Sequence, residues 1–139
     1  MVDLKRWTEN NVCLGFQKKI FDRHRLISEP IYGSIMRSNF EPGFGDLTWL
    51  HMAYANFYNH CKPLIIYCLP SYDVVRANLK EDEDNRTVFP KIRRIYSLYV
   101  SAAARDLSLG RAIWYDYTQH SPMMIHPWIN KALEELAHV

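Results

Sequence analysis

Three short stretches rich in β-branched and aromatic residues punctuate the chain: KIFD at 19–22, LIIYCL at 64–69 and AIWYDYT at 112–118. Each runs into a polar or proline-marked turn, the pattern of buried strands. Elsewhere the apolar spacing lengthens to three and four. Asp46 follows the turn EPGFG as a natural N-cap, and Leu47, Leu50, Tyr54, Phe57 and Cys61 then recur on one face. Ser71 is predicted to cap a short helix through about Lys80, turning Val75 and Leu79 inward. Val88, Ile92, Ile95, Tyr99 and Ala102 form the stripe of a long helix over 88–106, and Gly110 suits its exit turn. A last helix is predicted to start near Pro127 and to bury Ile129, Leu133 and Leu136. The first residues, MVDLKRWTENNVCLGFQKK, hold a short amphipathic helix. Strands separated by helices of this length imply crossovers. The expected fold is therefore α/β: a mainly parallel sheet of about three strands flanked by helices in two or three layers, as a single domain over 1–139.

With 139 residues, 48% of them apolar, the chain can bury a core without metals or disulfide staples. Its net charge of +2, from 17 bases and 15 acids, is too weak to imply nucleic-acid binding by electrostatics. An anionic ligand must then be held by local groups. Cys13, Cys61 and Cys68 are odd in number and show no C-x-x-C spacing, so they read as free thiols of a protein in a reducing cytoplasm. The six histidines never fall into H-x-x-x-H or H-E-x-x-H spacing, so no metal site is expected. No apolar run approaches the roughly 20 residues of a membrane span, and the N-terminus lacks a signal-peptide core.

Ligands of open parallel sheets collect beyond the carboxyl ends of the strands. The segments expected there are DRHRLISEP, LPSYD and YDYTQHSP. In the first, Asp22 can hold a hydrated cation or orient an arginine, and Arg23 can clamp a phosphate bidentately. The same residues also suit a plain helix start, with Ser28 as N-cap, Glu29 in the first turn and Pro30 beside it. His24 fits either a base or a donor to a backbone carbonyl. Ser28 has no G-x-S-x-G elbow and is not a hydrolase nucleophile. His120 and His126 fall near the third strand end, where Met123 and Met124 suit either a pocket lining or core packing.

The stretch DRHRLISEPIYGSIMR resembles the strand-end motif of thymidylate kinases and their phage relatives, in which D-R-[HYF] is followed by a serine and then by an aromatic residue. LIIYCLPSYDVVRANL is similar to the next strand with its L-P turn and helix, IRRIYSLYV to the helix after the lid, and IWYDYT to the last strand. The likeness covers residues 18–118, and only the D-R-H stretch is specific. It implies that Arg23 contacts the acceptor phosphate, that Asp22 sits near a metal and the reacting phosphates, and that Tyr32 and Arg37 lie beside the nucleoside monophosphate. His24, Ser28 and Glu29 belong to the same substrate-facing stretch. It further makes KEDEDNR at 80–86 the lid, with Arg86 as the catalytic arginine and Arg76, Arg93 and Arg94 as weaker matches.

One departure is severe. The family cradles its donor phosphates in G-x-x-x-x-G-K-[ST], and none of the five glycines here (Gly15, Gly33, Gly43, Gly45, Gly110) is followed by lysine. Two expectations follow. One is a degenerate, phage-encoded nucleotide-kinase-like protein of the host cytoplasm that acts by binding a host or phage protein, or a nucleotide. The other is an active deoxynucleoside monophosphate kinase of dTMP or dGMP type, or half of one, using Mg²⁺ and ATP and completed by another chain. Without the family's first strand the sheet would carry bare edges, and a homo-oligomer rich in its four Trp and nine Tyr would cover them.

Overall fold

The computed structural model describes residues 22, 24–36, 47–79 and 86–138. The chain divides into two compact units, 1–63 and 64–139. Helices predominate, joined by a two-stranded parallel sheet, so the fold is a small mixed α/β one.

In the first unit Asp22 lies exposed in a bend, and the chain then coils through α1 (Arg25–Ser28), a π-helical turn (Glu29–Gly33) and α2 (Ser34–Met36). The long α3 (Leu47–Cys61) packs against α1. Leu26 is fully buried and Phe57 nearly so, with Ala53, Tyr54 and Cys61 against them. Three of the residues expected on the inner face of this helix, Tyr54, Phe57 and Cys61, thus do face the core. Asp46 and the side chains of Leu47 and Leu50 lie outside the described residues, as do residues 19–21 of the first expected strand and the expected N-terminal helix. Cys61 is disulfide-bonded, and Cys68 is an exposed cysteine outside any disulfide. This corrects the expectation of free thiols at Cys61. Odd number and missing C-x-x-C spacing say nothing about cysteines brought together from distant parts of a chain.

At the end of α3 the chain stops with Lys62 at φ +43, a left-handed position usually given to glycine, whose N–H bonds the Tyr58 carbonyl at 3.1 Å. Pro63 follows and forbids continuation of the helix.

The second unit runs β1 (Ile65–Cys68), α4 (Tyr72–Asn78), a 3₁₀ turn (Phe89–Lys91), α5 (Ile92–Ser108), β2 (Ala112–Tyr115) and α6 (Pro122–Ala137). β1 and β2 pair in parallel, with Ile65 opposite Ala112 and Cys68 opposite Tyr115. The outer bonds are Ile65 N–H to the Arg111 carbonyl and Leu69 N–H to the Tyr115 carbonyl, both 3.0 Å. Two of the three expected strands are therefore seen, and each is shorter than its apolar run. Tyr117 to Gln119 form a turn, because the Asp116 carboxylate captures the backbone that a longer strand would need.

Side chains alternate across the pair. Tyr67 reaches α5, whereas Tyr115 points to the opposite side and stacks near His120 at the start of α6. Gly110, at φ +65, ends α5 in a turn that lets Arg111 N–H bond the Asp106 carbonyl at 2.9 Å. The last helix differs from expectation. It starts at Pro122 behind Ser121, and Pro127 stands inside it. Pro122 at the first helical position loses no bond, while Pro127 only leaves the carbonyl of highly exposed Met123 to solvent. The inward stripe accordingly runs from buried Ile125 through half-buried Ile129, Ala132 and Leu136, whereas Leu133 is exposed.

Candidate functional site

The sequence-expected nucleotide residues of the first unit lie on one continuous helical run. His24 is buried, and its ring stacks on Phe57 with centroids 4.6 Å apart and planes 15° apart. Its Nδ1 accepts the Leu26 N–H at 3.3 Å, so His24 itself supplies the helix-start acceptor. Burial holds its imidazole below the usual histidine value. Ser28 does hold the N-cap position of the π-helical turn, but its backbone is already helical and its hydroxyl caps no N–H there: Oγ donates back to the His24 carbonyl at 3.3 Å. Glu29 and Pro30 open the π-helical turn, with Ile31 and Gly33 buried and Tyr32 40% exposed. Asp22 is exposed. Arg23 and Arg37 lie outside the described residues, as do residues 80–85 of the expected lid. Arg86 is exposed in a turn of the second unit.

A second constellation stands at the carboxyl ends of β1 and β2, where parallel strands present their ligand loops. After β1, Tyr96 of α5 donates its hydroxyl to the Pro70 carbonyl at 2.8 Å, and Trp114 donates Nε1–H to the Leu69 carbonyl at 2.8 Å. These two aromatic donors fix the LPS turn. Tyr72, the first residue of α4, meets Tyr96 with centroids 5.5 Å apart, and the Arg93 guanidinium carbon sits 5.5 Å from the Tyr72 ring centre. The result is a row of guanidinium, phenol and phenol along one strand end, held by both cation–π attraction and a backbone hydrogen bond.

After β2 the chain folds on Asp116, which is buried. Its Oδ1 accepts from the Thr118 N–H at 2.9 Å and from the Thr118 hydroxyl at 2.5 Å. Its carbonyl accepts the N–H groups of Gln119 and His120 at 3.0 and 2.8 Å. Its own N–H donates to His120 Nδ1 at 3.2 Å. The Thr118 hydroxyl bond keeps the Asp116 carboxyl below the usual carboxylate range, against the opposing effect of desolvation, with help from the Thr118 amide and the nearby His120. In turn, desolvation and then the Asp116 charge push the Tyr96 phenol up. Asn78 Nδ2 donates to the Tyr117 hydroxyl at 3.3 Å and ties the end of α4 to this loop.

The strand-end segments LPSYD and YDYTQHSP thus do form a rim in the second unit, with His120 in it. His126 instead accepts from Asn130 on the exposed part of α6, and Met123 and Met124 are exposed. Sequence reasoning missed Asp106, which is fully buried and receives the Tyr67 hydroxyl. Its signal was its place: position 106 continues the 95, 99, 102 stripe with a carboxylate where an apolar residue belongs. Among the described residues no group of three or more His, Cys, Asp or Glu converges on a metal-sized site. No helix among them is long and apolar enough to cross a membrane. Compared with protein-family models, curated proteins and solved structures, the chain matches none.

Proposed function

We propose that the chain is a nucleotide-kinase-like binding protein that holds a nucleotide at the carboxyl ends of β1 and β2 without transferring its phosphoryl group. The observation that carries this reading is the Arg93–Tyr72–Tyr96 row at the end of a parallel strand. Aromatic faces accept a nucleobase by stacking, and a guanidinium pairs with phosphate, so one ligand class satisfies both. Asp116 is held ionised, with Oδ1 taken up by Thr118 of its own loop, which suits a loop-organising carboxylate better than proton transfer. The resemblance of DRHRLISEP to the thymidylate kinase motif supports the same ligand class. It assigns a nucleoside monophosphate to Asp22, Arg23, His24, Ser28, Glu29, Tyr32 and Arg37, with Arg86 toward the transferred group.

Phosphoryl transfer lacks support, because no glycine in these 139 residues precedes the lysine of a donor loop. On this reading the protein acts in the cytoplasm of a phage-infected host, alone or as a homo-oligomer, and passes its effect to a host or phage protein. The disulfide at Cys61 sits uneasily with a reducing cytoplasm, where such bonds are rare.

Thermal unfolding with millimolar dTMP, dGMP or ATP, each with and without Mg²⁺, tests the reading alongside a phosphotransfer assay. A ligand at 100 times its Kd adds about 2.7 kcal/mol, several degrees for a chain this size. Stabilisation without product formation supports the proposal. Product formation would restore the kinase, and no stabilisation by any nucleotide would refute nucleotide binding.

A further inference from the structure

The loop from β2 to α6 contains a bond that only one protonation state can make. His120 Nδ1 accepts the Asp116 N–H at 3.2 Å. An acceptor nitrogen needs a free lone pair, so this arrangement requires the neutral imidazole with its proton on Nε2. The ring is otherwise held by aromatic contacts. It lies 6.3 Å from Tyr115 with planes 27° apart, and meets Trp128 of α6 edge-on at 5.1 Å and 77°. The loop it closes is short and dense, since Asp116 also gathers Thr118, Gln119 and the His120 amide.

Protonation sets two of these interactions against each other. With hydrogens on both nitrogens, Nδ1–H would face Asp116 N–H, donor against donor, and the bond is lost. The groups that face the ring come from each element around it. From the β2 end the Asp116 carboxylate faces it, from β2 the Tyr115 phenol, and from α6 the uncharged Trp128. The one formal charge in this set is negative. A protonated ring therefore loses the backbone amide as a donor and has the carboxylate as its remaining charged partner.

We propose that His120 is a protonation-operated latch on the strand-to-helix loop, closed on the Asp116 amide when neutral and released toward the Asp116 carboxylate when charged. The device is independent of nucleotide binding and is present in the free chain. Its consequence is that the start of α6 and the rim loop share one two-state element, set by the protonation of the ring.

The test is ¹H–¹⁵N spectroscopy of the full, ligand-free chain between pH 8 and 5, following the His120 ring nitrogens, the Asp116 and Thr118 amides and the Trp128 indole. At pH 8 His120 is expected in the Nε2–H tautomer. On acidification the Asp116 amide and Trp128 resonances should shift with the midpoint of the ring. A His120→Asn chain, which keeps an acceptor and removes the titration, should show neither shift. A ring in the Nδ1–H tautomer at pH 8 would overturn the proposal. So would a His120 titration that leaves the Asp116 amide unmoved, a result read in the unaltered protein and independent of how the variant folds.

Discussion

The Tyr67 hydroxyl donates a 2.6 Å hydrogen bond to Oδ2 of Asp106, joining β1 to α5 across 39 positions of sequence. Asp106 has no exposed surface, and Arg105 Nε–H bonds its other oxygen at 2.9 Å. A buried carboxylate is tolerated only where its oxygens find donors, so this pair fixes the helix on the sheet rather than merely lying between them. Tyr67→Phe removes one donor and keeps the ring. Hydrogen bonds to charged groups are worth about 1.5–3 kcal/mol, and a loss in that range is expected from urea unfolding. A change below about 0.5 kcal/mol would show that the bond contributes little net stability.

Burial lowers the His24 imidazole below its ordinary value, so between the two values the unfolded chain binds the proton more readily than the folded one. The contribution of neutral His24 is complete above about pH 6.5 and is lost as pH falls below that toward the lowered native value. Urea midpoints at pH 8, 6.5 and 5 should therefore fall on the acid side, and His24→Gln should flatten that slope. An unchanged slope would mean that His24 does not titrate differently on unfolding.

Lys62 holds φ +43, where a side chain costs about 1 kcal/mol and glycine costs little. Lys62→Gly gives part of this back as unfolded-chain entropy. A net stabilisation of up to about 1 kcal/mol is expected, again from urea unfolding. Destabilisation would show that the lysine side chain makes compensating contacts.

Cys61 is disulfide-bonded, whereas Cys68 is exposed and forms no disulfide. Peptide mapping after alkylation of the native chain should find Cys68 modified and Cys61 protected until reduction. Modification of Cys61 without reduction would contradict the disulfide.

How far the sequence could be read depended on what each residue answers to. β1, β2 and α5 were legible because Ile65, Tyr67, Ile95 and Ile113 follow strand or helix periods that burial enforces. The last helix was placed five residues late because two prolines, Pro122 and Pro127, both offer a first-turn position, and only packing of Ile125 decides between them. That His24, and not the Ser28 hydroxyl, supplies a side-chain acceptor at the helix start was not legible for a similar reason: a histidine acceptor before a helix is a tertiary outcome, made possible by the Phe57 ring beneath it. The rim at Pro70 and Asp116 was legible as a place, through strand ends and turn residues. The Arg93–Tyr72 contact was not, since it joins two helices that sequence spacing cannot orient.

The Arg93–Tyr72–Tyr96 row is proposed to bind a nucleotide. Calorimetric titration of ATP and of dTMP into the chain, and into Arg93→Ala and Tyr72→Ala chains shown to fold, tests it most directly. Saturable binding by the unaltered chain is expected, weakened about tenfold or more in each variant, since a hydrogen bond to a charged group or a base–aromatic stack is worth roughly 1–3 kcal/mol. No binding at millimolar nucleotide, or equal binding by all three chains, would contradict the claim.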